Sequence, residues 1–232
     1  ELYHSLAKRG ISVRFSDLHD IRQAAFLLDP LRRDRSLVGL IGGELATPIE
    51  EVAAMRQIYG WQVASFDDKP KVKDIADRFD FPLIYHLFTM EHHGIKLDTA
   101  VLKNMSKELG DKYDALEQEM YRLVGEEFNI GSPAQLSEVL FVKLGLPTAG
   151  IKKGKTGYST GQKELDKLRG LHPIIELIEQ TRELSKLKNT YVDTLPEQID
   201  ENSRLHTTFN QDVAATGRLS STSPNLQNIP IR

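Results

Sequence analysis

The residues best equipped for chemistry lie at two places. Residues 216–232 carry Arg218, Asn225, Gln227 and Asn228 among hydroxyls, with Gly217 at a turn and prolines at 224 and 230. Each proline pushes the residue before it, Ser223 or Ile229, toward extended backbone, so this stretch is neither helix nor long strand. Arginine offers a planar fork of donors, and each amide offers a donor and an acceptor. Such a set can hydrogen-bond base edges and sugars in the minor groove of a duplex. The acceptors there are nearly alike for every base pair, so contacts check pair shape rather than sequence. The same composition also suits a polar loop that caps its neighbours, and chemistry alone leaves both readings open.

The second place is residues 151–160, where Lys152, Lys153 and Lys155 alternate with two glycines and lead to Ser159 and Thr160. Charge, donors and backbone freedom suit phosphate contacts. The order of residues is not that of a P-loop. From Lys143 to Lys188 there are ten Lys/Arg and five Asp/Glu, a local excess of five positive charges in a chain whose net charge is −3. Such charge separation favours a polyanion partner, with a solvated charged face as the alternative. The acids earlier in the chain, Asp17, Asp20, Asp29 and Asp34, show no spacing that would converge on a metal pair, and they read as solvated loop acids. In Glu91-His92-His93-Gly94 the adjacent histidines cannot face one ion from a helix, and they fit a helix C-terminus. No catalytic or metal-ligating set is predicted.

Helices must position these groups. Helices are predicted over 2–9, 20–28, from Pro48 to Gly60, and 78–92, with a strand at 11–15 and a turn at 67–70. Asp98 reads as the N-cap of the longest helix, 99–124, which carries a narrow apolar stripe of Val101, Met105, Leu109, Leu116, Met120 and Leu123. A second stripe runs along 174–191: Ile174, Ile178, Thr181, Leu184, Leu187 and Tyr191. Two narrow stripes separated by dozens of residues predict an antiparallel pair that projects as a lever or clamp, with an ordinary helical bundle as the alternative. Between them Ser132 should cap a helix over 134–144, with Pro133 at its first position. Residues 205–210 alternate as a strand.

The chain has 232 residues, 40% of them hydrophobic, and no cysteine. That supplies a core and excludes disulfides and thiolate zinc sites. No apolar run approaches the roughly 20 residues of a membrane span. There is no signal-peptide pattern. The opening residue is Glu1 rather than Met, which reads as a piece of a longer polypeptide.

Residues 216–232 closely resemble the T-G-R-L-S-S-x-x-P-N-L-Q-N-I-P-x-R segment of the family A DNA polymerases, bacterial DNA polymerase I and its relatives. One departure is Ser223, where the family usually has an acidic residue. Further matches are M-E-x-x-G-[IV]-x-[IVL]-D at 90–98, F-N-x-x-S-P-x-Q-L at 128–136, G-x-S-T at 157–160, R-x-L-x-K-L-x-x-T-Y at 182–191, and R-[LV]-H-T-x-[FY]-[NH]-Q at 204–211. The resemblance is strong from Asp77 onward. Residues 20–28 are similar to the C-terminal part of the family's 3′–5′ exonuclease domain. Its opening D-x-E motif would precede residue 1, and its last acidic motif finds no match near 53–59.

The resemblance implies a mostly α fold with a small α/β part. Residues 1–76 would be a degenerate, ribonuclease H-like exonuclease remnant. Residues 77–200 would be the thumb, with its tip at about 128–170. Residues 201–232 would start the palm through a β-hairpin. It further implies that Asn129, Ser132, Lys152, Lys153, Lys155, Ser159, Thr160, Lys186, Lys188 and Asn189 hold the duplex backbone. Arg218, Asn225, Gln227 and Asn228 would touch the minor groove. The partner is then primer–template DNA, and the protein a cytoplasmic bacterial monomer. The family's phosphoryl transfer uses palm carboxylates, magnesium and a fingers helix. Those motifs would follow Arg232, so the fragment has no cofactor of its own and should catalyse nothing. A stand-alone DNA-binding module and a helical interaction protein are the alternatives.

Overall fold

The structure is a computed structural model and describes residues 2–12, 18–154 and 157–229. It is mostly helical, with three small antiparallel pairs of short strands among the described residues. The chain forms two compact units, residues 2–96 with Asp200–Ile229, and Leu97–Ile199.

The first unit contains α1 (Leu2–Lys8), α2 (Ile21–Leu28), α3 (Leu37–Ile41), α4 (Pro48–Asp67), α5 (Pro70–Ile75) and α6 (Phe81–His93). Asp20 caps α2, accepting from Gln23 N at 2.8 Å. A reciprocal capping box, Thr47 with Glu50, starts α4 with Pro48 in its first turn. This helix does not stop at Gly60 as predicted. A mid-helix glycine costs about 1 kcal/mol, and burial of Gln62 and Phe66 beyond it outweighs that. Gln62 is fully enclosed and satisfied, donating to Ile21 O and meeting His19 Nε2 through its Oε1. Ala24, Phe66, Ala76 and Phe81 form the local core. The helix expected from Arg78 begins earlier. A wide turn over Ala76–Asp80 joins α5 to α6, with Phe81 N reaching Ala76 O. Pro82 has no N–H to return to the preceding turn, and the widened bonding accommodates it.

Residues 2–80 contain no strand among the described residues. The strand predicted at 11–15 lies largely outside them, as does Asp17; Ile11 and Ser12 belong to no strand. The strand predicted at 205–210 is split. Arg204–Leu205 (β4) pairs with Ile95–Lys96 (β1), while Thr208–Asn210 (β5) pairs with Ser220–Thr222 (β6). Gly94 explains the break. It has φ of +65°, and a Cβ there would lie 2.8 Å from His206 Cε1 and from Leu205 O. His206 Nδ1 meets Glu91 O at 2.7 Å and Nε2 meets Asp200 at 3.2 Å. The Glu91 carbonyl, then the Asp200 carboxylate, raise the His206 pKa against the opposing effect of burial.

In the second unit β2 and β3 form a hairpin at Lys153–Gly154 and Gly157–Tyr158. The remaining elements are α7 (Thr99–Val124), α8 (Pro133–Glu138), α9 (Gln162–Leu168) and α10 (Ile174–Leu187). Asp98 caps α7 by accepting from Ala100 N and Val101 N. The two long helices are antiparallel: Ser106 donates to Asp193 at 2.7 Å near one end, while Met120 packs with Ile174 and Ile178 at the other. The predicted α10 stripe is buried from Ile174 to Tyr191. That of α7 is not continuous, because Val101 and Met105 are 58% and 39% exposed. The tip has its own core instead, where Phe128, Ile130, Leu136, Leu140, Ile151 and Leu165 surround the start of α10. The helix predicted at 134–144 is α8 followed by a wide turn over Val139–Lys143, and a like turn over Lys188–Val192 ends α10.

Replacing fully buried Ile178 with Ala should cost about 2–5 kcal/mol, read from urea unfolding; a loss under about 1 kcal/mol would mean the tip core is not closed there. The His206 contribution is complete below its ordinary value of 6.5 and is lost as pH rises through the higher folded value. Stability of the first unit should therefore fall from pH 6 toward alkaline pH, and His206→Gln should flatten that slope; equal slopes would contradict it.

Candidate nucleic-acid interface

At the tip, the backbone from Asn129 to Ser132 turns before α8. Asn129 Oδ1 accepts from Gly131 N at 2.9 Å, and Asn129 N donates to Gln135 Oε1 at 2.7 Å. Ser132 is the N-cap of α8. Both side chains therefore shape the turn. Across from it stands one edge of α10. Arg182, Lys186 and Asn189, three or four residues apart, line a cleft of about 390 Å³ with Gly131 and Tyr113. Burial, with nearby Glu117 and Asp114, raises the Tyr113 pKa, so its hydroxyl stays protonated at neutral pH.

Lys152 and Lys153 are exposed, and Lys155 lies outside the described residues. The Lys153 ammonium sits 5.3 Å from the Tyr158 ring centre, directly across the β2–β3 pair. Gly157 has φ of +129°, and a side chain there would press on Ser137 Oγ at 2.9 Å, so the hairpin lies tight on α8. Lys152 O accepts from Ser159 N at 2.8 Å. Ser159 Oγ accepts from Gly161 N at 3.3 Å.

Thr160 faces inward and is 4% exposed. Its carbonyl and hydroxyl accept from Arg182, at 2.6 and 3.4 Å. Burial lowers the Arg182 pKa while Glu179 opposes the shift; a guanidinium remains a cation at neutral pH. Arg182 was not singled out from sequence as a site. Its spacing of four from Lys186 was the available signal, placing both on one helix face. Lys188, two residues from Lys186, points elsewhere and pairs with Asp193 at 2.6 Å. The structure thus groups Lys186 with Asn189 and separates Lys188 from them. The Asn189 amide donates to Ser185 Oγ at 3.1 Å.

Four of the ten cations counted from Lys143 to Lys188 are already ion-paired, Lys188 as above. Lys143 pairs with Glu126, Lys167 with Glu164, and Arg169 with Asp166 and Glu179. Lys153, Lys163 and Lys186 form no ion pair with any described carboxylate. Cations left unpaired on a packed scaffold are those able to exchange counterions for phosphates.

In the first unit, Arg218 is exposed in the loop between β5 and β6. Asn225 caps a short 3₁₀ turn, Leu226–Asn228, its Oδ1 accepting from Gln227 N at 3.0 Å. Gln227 Nε2 donates to Leu219 O at 2.9 Å. Buried Ser221 holds the turn by accepting from Leu226 N. Ser223, expected to be extended, has φ of 56° and precedes a cis bond. Here Thr207 Oγ1 donates to Thr222 O and Pro224 O, fixing the turn around it. Asn228 is exposed at the end of the 3₁₀ turn. The amides thus stiffen the segment while leaving faces outward.

Among the described residues no three His, Asp or Glu side chains are placed to share a metal ion, and no helix is long and apolar enough to cross a membrane. One unit is an antiparallel helical pair with a cationic tip, and the other ends in a stiffened Arg- and amide-bearing turn. The chain belongs to DNA polymerase family A, whose model matches residues 99–232. Its relatives are bacterial DNA polymerases I. It is 43% identical over 212 residues to the thermostable DNA polymerase I of Thermus aquaticus, covering 90% of this chain and 25% of that protein. It is 48% identical over 167 residues to the Synechocystis DNA polymerase I, covering 72% and 17%. The POL domain of Pol1 from M. smegmatis, solved in complex with DNA primer-template and dNTP, superposes with a TM-score of 0.85 at 36% identity, over 100% of this chain and 41% of that one. The chain therefore spans about a quarter or less of the curated relatives named here.

Arg182→Ala should leave the Thr160 carbonyl buried without its donor, at a cost of about 1–3 kcal/mol. Tryptic cleavage after Lys152 and Lys153 should then accelerate while the helical circular dichroism of the chain is kept. Unchanged cleavage would show that Arg182 does not hold the tip.

Proposed function

We propose that the chain is the duplex-holding part of a template-directed DNA polymerase. Residues 77–200 act as the thumb, 1–76 as an exonuclease remnant without nuclease activity, and 201–232 as the entry to the palm. Lys152, Lys153, Lys155 and Lys186 neutralise phosphates behind the primer end. Asn129, Ser132, Ser159, Thr160, Lys188 and Asn189 contribute donors or shape the tip. Arg218, Asn225, Gln227 and Asn228 meet the minor groove. The observation that carries this reading is that exposed Lys153 and Lys186 form no ion pair with a described carboxylate while neighbouring cations are paired. The complex with primer-template reported for the similar Pol1 domain supports the same class of partner.

Magnesium, which the family's phosphoryl transfer uses, does not fit the described residues, since no three carboxylates or histidines converge. Nucleotidyl transfer belongs to the remaining parts of the parent polymerase. This chain holds substrate and by itself joins no nucleotides. It acts as a monomer in the bacterial cytoplasm.

The test is the salt dependence of binding to a primed duplex. Log affinity should fall linearly with log salt, by roughly 0.9 per phosphate neutralised. Replacing Lys152, Lys153 and Lys155 together with Ala should reduce that slope by about 2–3. An unchanged slope, or no binding of the parent chain at low salt, would overturn the reading.

A further inference from the structure

The loop that presents Arg218 spans residues 211–219, between β5 and β6. A loop of this length gains little order from its own composition, and its middle is exposed, with Val213 at 63%. Its first two residues are nevertheless firmly held. Gln211 Nε2 donates to Asp80 O at 3.1 Å. Asp212 is buried, and two arginines reach it. Arg22 of α2 donates to its carboxylate at 2.5 Å, and Arg35, just before α3, donates to its backbone carbonyl at 2.8 Å. The Arg35 guanidinium also lies 3.8 Å from the carboxylate and stacks over Phe26 at 4.9 Å.

Arg35 and Asp212 are themselves desolvated, with side chains 11% and 10% exposed. The Arg35 Nε has no hydrogen-bond partner among the described residues. A buried charge stripped of its partner is strongly unfavourable, so each of these groups depends on the other. The far end of the loop is fixed as well, through Gln227 Nε2 to Leu219 O and the turn closed by Gly217 N to Ala214 O. Arg218 therefore stands on a short span with both feet pinned. One of those feet rests on helices that carry no predicted DNA contact.

We propose that Asp212 is a positioning residue: gripped by Arg22 and Arg35, it fixes the 211–219 loop and so aims Arg218 at its ligand. The N-terminal helical region thereby has a use in substrate holding without any catalysis of its own. This rests on the reading above that Arg218 meets primer–template DNA.

The test compares Asp212→Ala, Arg218→Ala and the double variant in the full chain. Two readouts are needed, amide hydrogen exchange of 211–219 without DNA, and affinity for a primed duplex at fixed low salt. Asp212→Ala should speed exchange in 211–219 by at least about fivefold, with α4 and α6 unchanged, and should weaken duplex binding. The double variant should bind within about twofold of Arg218→Ala alone, because the clamp acts through that residue. Unchanged exchange, or a double variant showing the product of both single losses, would overturn the proposal. If Asp212→Ala does not fold, Arg22→Ala removes the exposed half of the clamp and should give the same pattern with smaller changes. Should Arg218→Ala bind like the parent chain, the fault lies in the DNA role given to Arg218, and the exchange result alone decides whether the clamp orders the loop.

Discussion

The buried face of α10 is the constraint on which the second unit depends. Ile174, Ile175, Ile178, Thr181, Leu184 and Leu187 are all buried along it, and Tyr191 is buried in the turn that follows. The single polar member, Thr181, turns its hydroxyl back to Leu177 O at 2.7 Å and so joins an apolar face without an unmet donor. Burying such side chains is worth about 1.5–3 kcal/mol each. A pair of helices alone could slide along so narrow a seam. The tip core prevents this by closing around the first turns of α10 and Met120 together. The lysine-bearing hairpin is packed on that same core through Gly157 and Tyr158, and so inherits a fixed position from apolar packing.

A charge count over this region overstates what is available to a polyanion. Several of its cations already have carboxylates within hydrogen-bonding reach, and exposed pairs of that kind contribute little to stability. Their effect is subtractive: they remove Lys143, Lys167, Arg169 and Lys188 from the set that could face phosphates. What remains among the described residues lies on the hairpin, at the start of α9 with Lys163, and on one edge of α10. Arg182 links the first and last of these places by donating to Thr160, so a cation that could have been a ligand group also serves as a strut.

Much of this was legible from local chemistry. The caps at Asp98 and Ser132, the proline after Ser132 and the α10 stripe are short-range signals, and the structure has each of them. The family resemblance was carried by long ungapped runs, and the family assignment agrees with it. What the sequence did not disclose depends on distant partners. Gly60 reads as a stop until the residues after it find a core. Val101 and Met105 fit the stripe by spacing but stay largely exposed. The break between β4 and β5 is imposed by Gly94 and His206, more than a hundred residues apart. Asp212 carries no local signal, and its two arginines lie in segments whose proximity no local pattern announces.

The central claim, that unpaired cations on the packed tip are what a duplex meets, is tested most directly by lysine footprinting. The chain would be treated with an amine-acetylating reagent with and without a primed duplex, and each lysine read by mass spectrometry. The predicted result is protection at Lys152, Lys153 and Lys186, with Lys69 and Lys71 of the first unit labelled equally in both states. Equal labelling of the tip lysines with and without duplex, under conditions where binding is measured independently, would contradict it.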